Sequence, residues 1–209
     1  MNKTIVFSGA TIITPAHQLK KDLVVENGII KEIREQCEVK NGEELEASIK
    51  AVKQAAINSN SNILGYHIEG IYLDHEFREG HLDEYLHKPD PKEYEPLIEK
   101  YGDFVTEWTL APELPGAIEL IKACKKAGII TSVGHSQATY EQMMQAIENG
   151  LSHSTHFACV MGTLRFTALR ESAGKGFAPG VMETILLDDR LTTEIIADGF
   201  HLHKESDWH

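Results

Sequence analysis

The chain has 209 residues, of which 42% are hydrophobic, and this composition is typical of a globular protein with a substantial core. Intrinsic disorder is thereby excluded as the main state. With 20 basic and 32 acidic side chains, the net charge of −12 argues against a general electrostatic interaction with nucleic acid or with an anionic membrane surface. No apolar run approaches the roughly 18 residues of a membrane-spanning helix.

The amino-terminal segment and the cysteines favour a cytoplasmic protein. The first apolar stretch is short and is interrupted by Ser8 and Gly9, unlike the long apolar region of a secretory signal. Cys37, Cys124 and Cys159 are an odd number at wide spacing, which indicates neither a disulfide framework nor a thiolate zinc site. The 11 histidines direct attention to imidazole and carboxylate chemistry instead.

Residues 1–36 are predicted to form a small β-layer, a portion of a β-sandwich. Two of its strands are separated by Glu26-Asn27-Gly28, and the Asn-Gly pair supplies the positive φ of a tight hairpin. The expected strands cover residues 5–7, 11–14, 23–25 and 29–33.

Residues 37–209 are predicted to form an incomplete β/α barrel, because helical and extended patterns alternate from about residue 42. Gly128 has the position of a helix C′ residue, and Thr139 and Gln142 have the spacing of a capping box. A Gly-rich loop is expected over 162–180. The predicted helices are 43–58, 91–100, 114–127 and 139–149, and the predicted strands are 62–68, 104–110, 129–133, 151–157 and 193–197.

The length of this second region is short for a closed barrel. An eight-stranded α/β barrel needs roughly 250 residues, whereas about 170 remain after the β-layer. We therefore expect either a smaller open sheet or a chain from which segments of a longer protein are absent, with a seam near residues 36–42.

Several predicted parallel strands end in a carboxylate or an imidazole, contributed by Glu69, His135, His156, Asp198 and His201. The carboxyl ends of such strands form the rim where α/β folds place their reactive groups. A single strand-end histidine is more often a hydrogen-bonded structural residue than a ligand. One glutamate with two histidines, however, is a donor set of catalytic zinc sites, and such an ion suits the hydrolysis of an amide or ester.

Six short motifs contain the strand-end residues and their neighbours. They are G-Y-H-I-E-G at 65–70, G-H at 80–81, T-L-A-P-E at 109–113, V-G-H-S-Q-A-T-Y at 133–140, H-S-T-H at 153–156 and I-A-D-G-F-H at 196–201. These motifs resemble those of the N-acetylglucosamine-6-phosphate deacetylases and occur in the same order. The resemblance is weak over residues 4–35 and strong over about 60–209, where T-L-A-P-E and G-H-S-x-A-T-Y together are specific. It implies a metal-dependent α/β barrel of the amidohydrolase superfamily with a small β-sandwich.

The resemblance also implies a metal site and an activity. Glu69, His135 and His156 would bind a divalent metal, zinc or iron. The expected reaction is removal of the acetyl group from N-acetylglucosamine 6-phosphate, in amino-sugar catabolism, by a cytoplasmic homodimer. Another amidohydrolase with a different N-acyl or cyclic amide substrate, or an inactive sugar-phosphate-binding relative, stays open as an alternative.

Substrate contacts are implied in the same way. His81 and His201 would contact the sugar phosphate, and Arg170 would help to hold the phosphate, either within one chain or across a dimer interface. The alternative for Arg170 is a solvated loop charge, and the alternative for His81 is simple exposure. Cys159 and Val160 stand at the positions where the family has an Asn-Ala pair for substrate contacts.

The chain departs from the family pattern in further ways. No H-x-H pair is found between the β-layer and residue 60, and Ile71 replaces a proline. The family's catalytic aspartate would follow residue 209, so the residue that transfers the proton is not identified. A protein of this length without that aspartate is expected to be nearly inert.

Overall fold

The structure, a computed structural model, describes residues 4–13, 18–26, 29–34, 42–58, 62–78, 81, 83–168, 175–198 and 201. The chain divides into two compact units, Met1–Val39 and Lys40–His209. The domain boundary predicted between residues 36 and 37 lies outside the described residues, as does all of the predicted seam except residue 42. Within the described ranges, no helix combines the length and the apolar composition needed to cross a membrane.

The first unit contains a three-stranded antiparallel sheet of β1 (Thr4–Ile13), β2 (Gln18–Glu26) and β3 (Ile29–Arg34), in that order. The two strands predicted at 5–7 and 11–14 are one strand, because β1 stays paired with β2 through a register shift between Phe7 and Ala10. Glu26 pairs with Ile29, which is the register of a two-residue hairpin. The two intervening residues lie outside the described part of the chain.

The second unit contains a parallel sheet of five strands, whose spatial order β4-β5-β6-β7-β10 is also their order in the chain. A doubly wound sheet reverses its strand order at a switch point, whereas a barrel adds each strand on the same side. The sheet is thus a segment of a β/α barrel. The strands of this unit are β4 (Tyr66–Glu69), β5 (Val105–Leu110), β6 (Ile130–Val133), β7 (His153–Ser154), β8 (Arg165–Ala168), β9 (Lys175–Ala178) and β10 (Thr192–Thr193).

Helices precede and connect these strands, and their ends follow local sequence signals. Thr139 and Gln142 form the predicted capping box at the start of the fourth helix. Gly128 ends the third helix with a φ of 78°, a left-handed conformation that suits glycine. The helices are α1 (Gly42–Asn58), α2 (Pro91–Tyr101), α3 (Ala117–Ala127), α4 (Tyr140–Asn149) and α5 (Val181–Leu187).

The prediction of a continuous loop over residues 162–180 is wrong. Strands β8 and β9 form an antiparallel hairpin within it, and α5 follows directly. Four-residue strands and a seven-residue helix are too short to produce a clear periodicity. The parallel strands are also shorter than predicted at 62–68, 151–157 and 193–197, since the loops before or after them also contain apolar residues.

The core of the second unit lies between the sheet and its helices. Trp108 on β5 is fully buried, and its ring stacks on Tyr72 with 5.7 Å between centroids. Helix α3 contributes Leu120, Ile121 and Cys124, which the spacing of three to four residues places on one face. This packing supports β5, which lies between β4 and β6 in the sheet, next to the site described below.

Replacement of Trp108 by alanine is expected to lower the free energy of unfolding by about 3–5 kcal/mol, because it leaves a large cavity in a fully packed region. Urea titration followed by circular dichroism measures the change. The control is Leu64→Ala, since Leu64 is 92% exposed and its truncation should alter stability by no more than about 0.5 kcal/mol. Equal effects of the two substitutions would contradict this assignment of the core.

Candidate metal centre

Three side chains from the carboxyl ends of neighbouring strands converge at one point. Glu69 is the last residue of β4, and His135 and His156 each follow the ends of β6 and β7 by two residues. Glu69 Oε1 lies 2.7 Å from His156 Nε2 and 3.3 Å from His135 Nε2, and the two nitrogens are 3.2 Å apart. Among the described residues, this is the group of three that could hold a metal ion, with all donor atoms within 4.8 Å of one another.

The donor set fits a divalent cation. Bonds of about 2.0–2.1 Å at tetrahedral angles separate neighbouring ligand atoms by about 3.3 Å, close to two of the three distances in this triangle. His135 Nδ1 lies 2.8 Å from the carbonyl oxygen of Phe77. Because a carbonyl can only accept, Nδ1 carries a proton, and Nε2 is the ring nitrogen that faces Glu69 and His156.

The surroundings favour a charged carboxylate at this point. His135 and His156 are buried, while the side chain of Glu69 is about a third exposed. Burial by itself would raise the pKa of Glu69, but the hydrogen bonds to the two histidines outweigh it and hold the pKa well below its usual range. Burial would lower the pKa of His156, and its hydrogen bond to the Glu69 carboxylate raises it instead. A negatively charged carboxylate that could bind a cation therefore lies beside two imidazoles.

The backbone around the site is strained. The described non-glycine residues with positive φ all lie in the loops that follow β4, β6 and β7, and the two histidine ligands are among them at 47° and 32°. Such conformations cost about 1–3 kcal/mol each and persist only where neighbouring contacts enforce them. The five residues are Ile71, His135, His156, Ala158 and Val160.

Gly134 permits the close approach of the ligand loops. A Cβ at this position would lie 2.4 Å from Thr155 Cγ2 and 2.8 Å from Thr109 Cγ2. Both distances are shorter than van der Waals contact, so the residue before His135 must be glycine for β6 and the loop after β7 to pack as they do.

The structure brings His81 to the three candidate ligands. Its ring stands edge-on to that of His135 with 4.9 Å between centroids, and it also faces the backbone of Gly70. Burial, with the neighbouring His135, lowers the pKa of His81. His81 thus lies beside the donor triangle, formed by Glu69, His135 and His156, and is not simply exposed.

The remaining predicted contact residues are distributed over the adjoining loops. His201 is exposed, and its ring Nδ1 lies 2.8 Å from Asp198 Oδ2. The nearly buried Cys159 has its Sγ 3.9 Å from the carbonyl oxygen of His201. Val160 accepts a hydrogen bond at its carbonyl from the backbone N–H of Ser136, whereas Arg170 lies outside the described residues.

Sequence reasoning missed the residues that hold the His135 loop. Glu113 accepts hydrogen bonds of 2.7 Å from the Ser136 hydroxyl and the Gln137 backbone N–H. Asp74 donates its own N–H to the carbonyl of His135 and accepts from the Gln137 side chain at 3.1 Å. The available signal was the carboxylate of T-L-A-P-E, which stands three residues after the end of β5 and was given no role.

No protein-family model matches the chain. It is 35% identical over 161 residues to N-acetylglucosamine-6-phosphate deacetylase of Haemophilus influenzae, covering 77% of this chain and 39% of the relative. It is 29% identical over 161 residues to N-acetylgalactosamine-6-phosphate deacetylase of Escherichia coli O157:H7, covering 76% and 40%. The chain thus spans about two fifths of the length of these two curated relatives.

The chain is also similar to a solved structure of such a deacetylase. A mutant of N-acetyl-D-glucosamine-6-phosphate deacetylase from Mycobacterium smegmatis, in complex with N-acetyl-D-glucosamine-6-phosphate, matches with a TM-score of 0.67 and 28% identity. The match covers 78% of this chain and 39% of that chain. The resemblance seen in the motifs is confirmed, and the fold is the partial β/α barrel that it implied.

Substitution of Gly134 by alanine is expected to weaken zinc binding by about 10-fold or more, because the added Cβ displaces the loop that carries His135. Competition against a chromophoric chelator measures the affinity. The control is Gly128→Ala, where a Cβ meets no atom within 4 Å but the positive φ costs about 1 kcal/mol of stability. The control should bind zinc like the parent chain; an unchanged affinity of the Gly134 variant would count against the packing argument.

Proposed function

We propose that this chain carries the metal centre and substrate contacts of an enzyme that removes the acetyl group from N-acetylglucosamine 6-phosphate. The observation that supports this most is the convergence of Glu69, His135 and His156 at the carboxyl ends of parallel strands. The similarity to sugar-phosphate deacetylases adds the substrate class. An acetamide is a stable bond, and its hydrolysis at neutral pH needs the carbonyl to be polarised and a nucleophile to be generated.

The three donor residues would hold a divalent metal, zinc or iron. Bound there, the ion supplies polarisation of the acetamide carbonyl and a lowered pKa of a coordinated water. Phe77 fixes the ring of His135 through its carbonyl, and the Glu69 carboxylate offsets part of the positive charge. We assign proton transfer to the departing amine to no residue of this chain.

The substrate would lie beside the donor triangle. His81 is placed to form a hydrogen bond with a ligand there, because its ring borders that of His135. His201, Cys159 and Val160 would contact the sugar phosphate on the side of the loop after β7, with Arg170 as a bidentate partner of the phosphate. Cys159 and Val160 stand where the family has an asparagine and an alanine, so a thiol replaces the expected amide and the contacts to the sugar differ from the family pattern.

The proposal also includes the cellular compartment and the oligomeric state. We infer a homodimer in the reducing cytoplasm. Cys124 and Cys159 are both buried, and burial raises the pKa of Cys124 to about 12, so this thiol stays protonated and acts as a small apolar group. The odd number and wide spacing of the three cysteines in the sequence suit a reducing compartment. Sedimentation analysis that returned only monomers would count against the dimer.

Elemental analysis of the purified chain is expected to find about one zinc or iron ion per molecule, and the chelator-treated protein should regain one ion when zinc is added back. His156→Ala removes a donor and should reduce the metal content to less than about a tenth. His75→Ala is the control, because His75 is an exposed histidine paired with Asp83. Full metal retention by the His156 variant would refute the ligand assignment.

Acetate release is expected to be fastest from N-acetylglucosamine 6-phosphate. The comparison substrates are N-acetylgalactosamine 6-phosphate, N-acetylglucosamine without the phosphate, and an N-acetyl amino acid. Because the proton-transferring residue is unassigned, calorimetric binding to the zinc-loaded chain is a second readout, and the same order of preference is expected.

The possible outcomes separate the alternatives. Binding of the sugar phosphate without acetate release would favour an inactive sugar-phosphate-binding relative. Preference for the N-acetyl amino acid would favour an amidohydrolase with another substrate. Equal binding of N-acetylglucosamine with and without its phosphate would contradict the contacts proposed for His81, His201 and Arg170.

A further inference from the structure

The loop that carries His135 has an unfavourable backbone conformation at His135 itself. His135 has a φ of 47°, a backbone conformation that is unfavourable for residues other than glycine. Its imidazole is nevertheless placed to within hydrogen-bond distance of Glu69, His156 and the Phe77 carbonyl. Contacts from elsewhere in the fold must enforce this conformation.

Glu113 makes such contacts with the two residues that follow His135. Its Oε2 accepts from the Ser136 hydroxyl and its Oε1 from the Gln137 backbone N–H, both at 2.7 Å. Ser136 is fully buried, and its oxygen also accepts from the N–H of Ala138. Each oxygen of the Glu113 carboxylate is therefore used to fix one residue of the loop.

Neighbouring strands place Glu113 in this position. It comes three residues after the end of β5, and β5 pairs in parallel with β6, which leads into His135. Asp74 also holds the loop, through its N–H to the His135 carbonyl and its carboxylate to the Gln137 side chain. Glu113 bonds to both residues directly after His135 through the two oxygens of one carboxylate.

We propose that Glu113 is a positioning residue for His135, whose carboxylate fixes residues 135–137 so that Nε2 of His135 points at Glu69 and His156. The inference rests on the metal site proposed above. Glu113 is not one of the three residues whose donor atoms converge, and its described bonds go to Ser136 and Gln137, so it acts through the loop. Its loss allows His135 to adopt other orientations and leaves the Ser136 hydroxyl and the Gln137 N–H without this acceptor.

The test measures zinc affinity in Glu113→Ala by competition with a chromophoric chelator. We expect a loss of about 10-fold or more, the range seen when a group that orients a metal ligand is removed. Glu113→Gln should lose less, because the amide oxygen still accepts one of the two hydrogen bonds. This second variant keeps the volume of the side chain and serves if the alanine variant fails to fold.

Glu183→Ala is the matched control. Glu183 also accepts from one hydroxyl and one backbone N–H, those of Thr163 and Gly180, but it caps α5 and does not bond to the His135 loop. Both alanine variants should lose thermal stability to a similar extent. Only Glu113→Ala should lose zinc affinity; a parallel loss in both variants would reduce the role of Glu113 to general stability and overturn the proposal.

A readout without metal separates this inference from the proposed function. In the zinc-free chain, nitrogen-15 spectra of the histidines should show His135 protonated at Nδ1, with His135→Ala for assignment. Glu113→Ala should mix the two tautomers of His135, and Glu183→Ala should not. If the parent chain binds no zinc, the proposed function fails while this spectrum still tests Glu113. A wild-type spectrum and wild-type zinc affinity in Glu113→Ala would overturn the inference.

Discussion

Three donor atoms at the ends of separate strands lie about 3 Å apart, and this approach depends on the arrangement of the strands and loops of the second unit. A carboxylate and two imidazoles make up the triangle of Glu69, His135 and His156. Parallel strands β4, β5, β6 and β7 end at the same rim, which brings residues up to 87 positions apart in the chain into contact. An antiparallel arrangement would send alternate strand ends to opposite rims and separate the donors.

Bringing two imidazoles beside one carboxylate has a conformational cost. The ligand loops contain all the described non-glycine residues with positive φ, and Gly134 is needed where they cross. The Phe77 carbonyl, Asp74 and Glu113 supply hydrogen bonds that hold the loop of His135 in place. Strain concentrated at a site and enforced by its surroundings is typical of pre-organised functional centres.

The residues around the donor triangle differ in how firmly they are placed. His81 is packed edge-on against His135, whereas His201 is exposed and is held by Asp198. Cys159 contacts the carbonyl of His201, so the loop after β7 and the segment after β10 meet beside the site. A closely packed side with the candidate metal ligands and a more open side would suit the proposed function, in which a sugar phosphate has to enter.

The sequence by itself determined the alternation of helices and strands, the capping box at Thr139, the helix end at Gly128 and the three converging residues. These features depend on local chemistry or on motifs that stand at strand ends, and both are visible in one dimension. The hairpin of β8 and β9 was not predicted, because its short strands owe their structure to pairing with each other.

Only the tertiary structure decided how the site is held together. The bonds from Glu113 to Ser136 and Gln137 join residues 23 and 24 positions apart, and no local pattern in the chain marks them. The same holds for the Phe77 carbonyl, whose partner His135 is 58 positions away. Residue types that can bind a metal can be identified in a sequence. The contacts that orient these residues form only when neighbouring strands bring distant loops together.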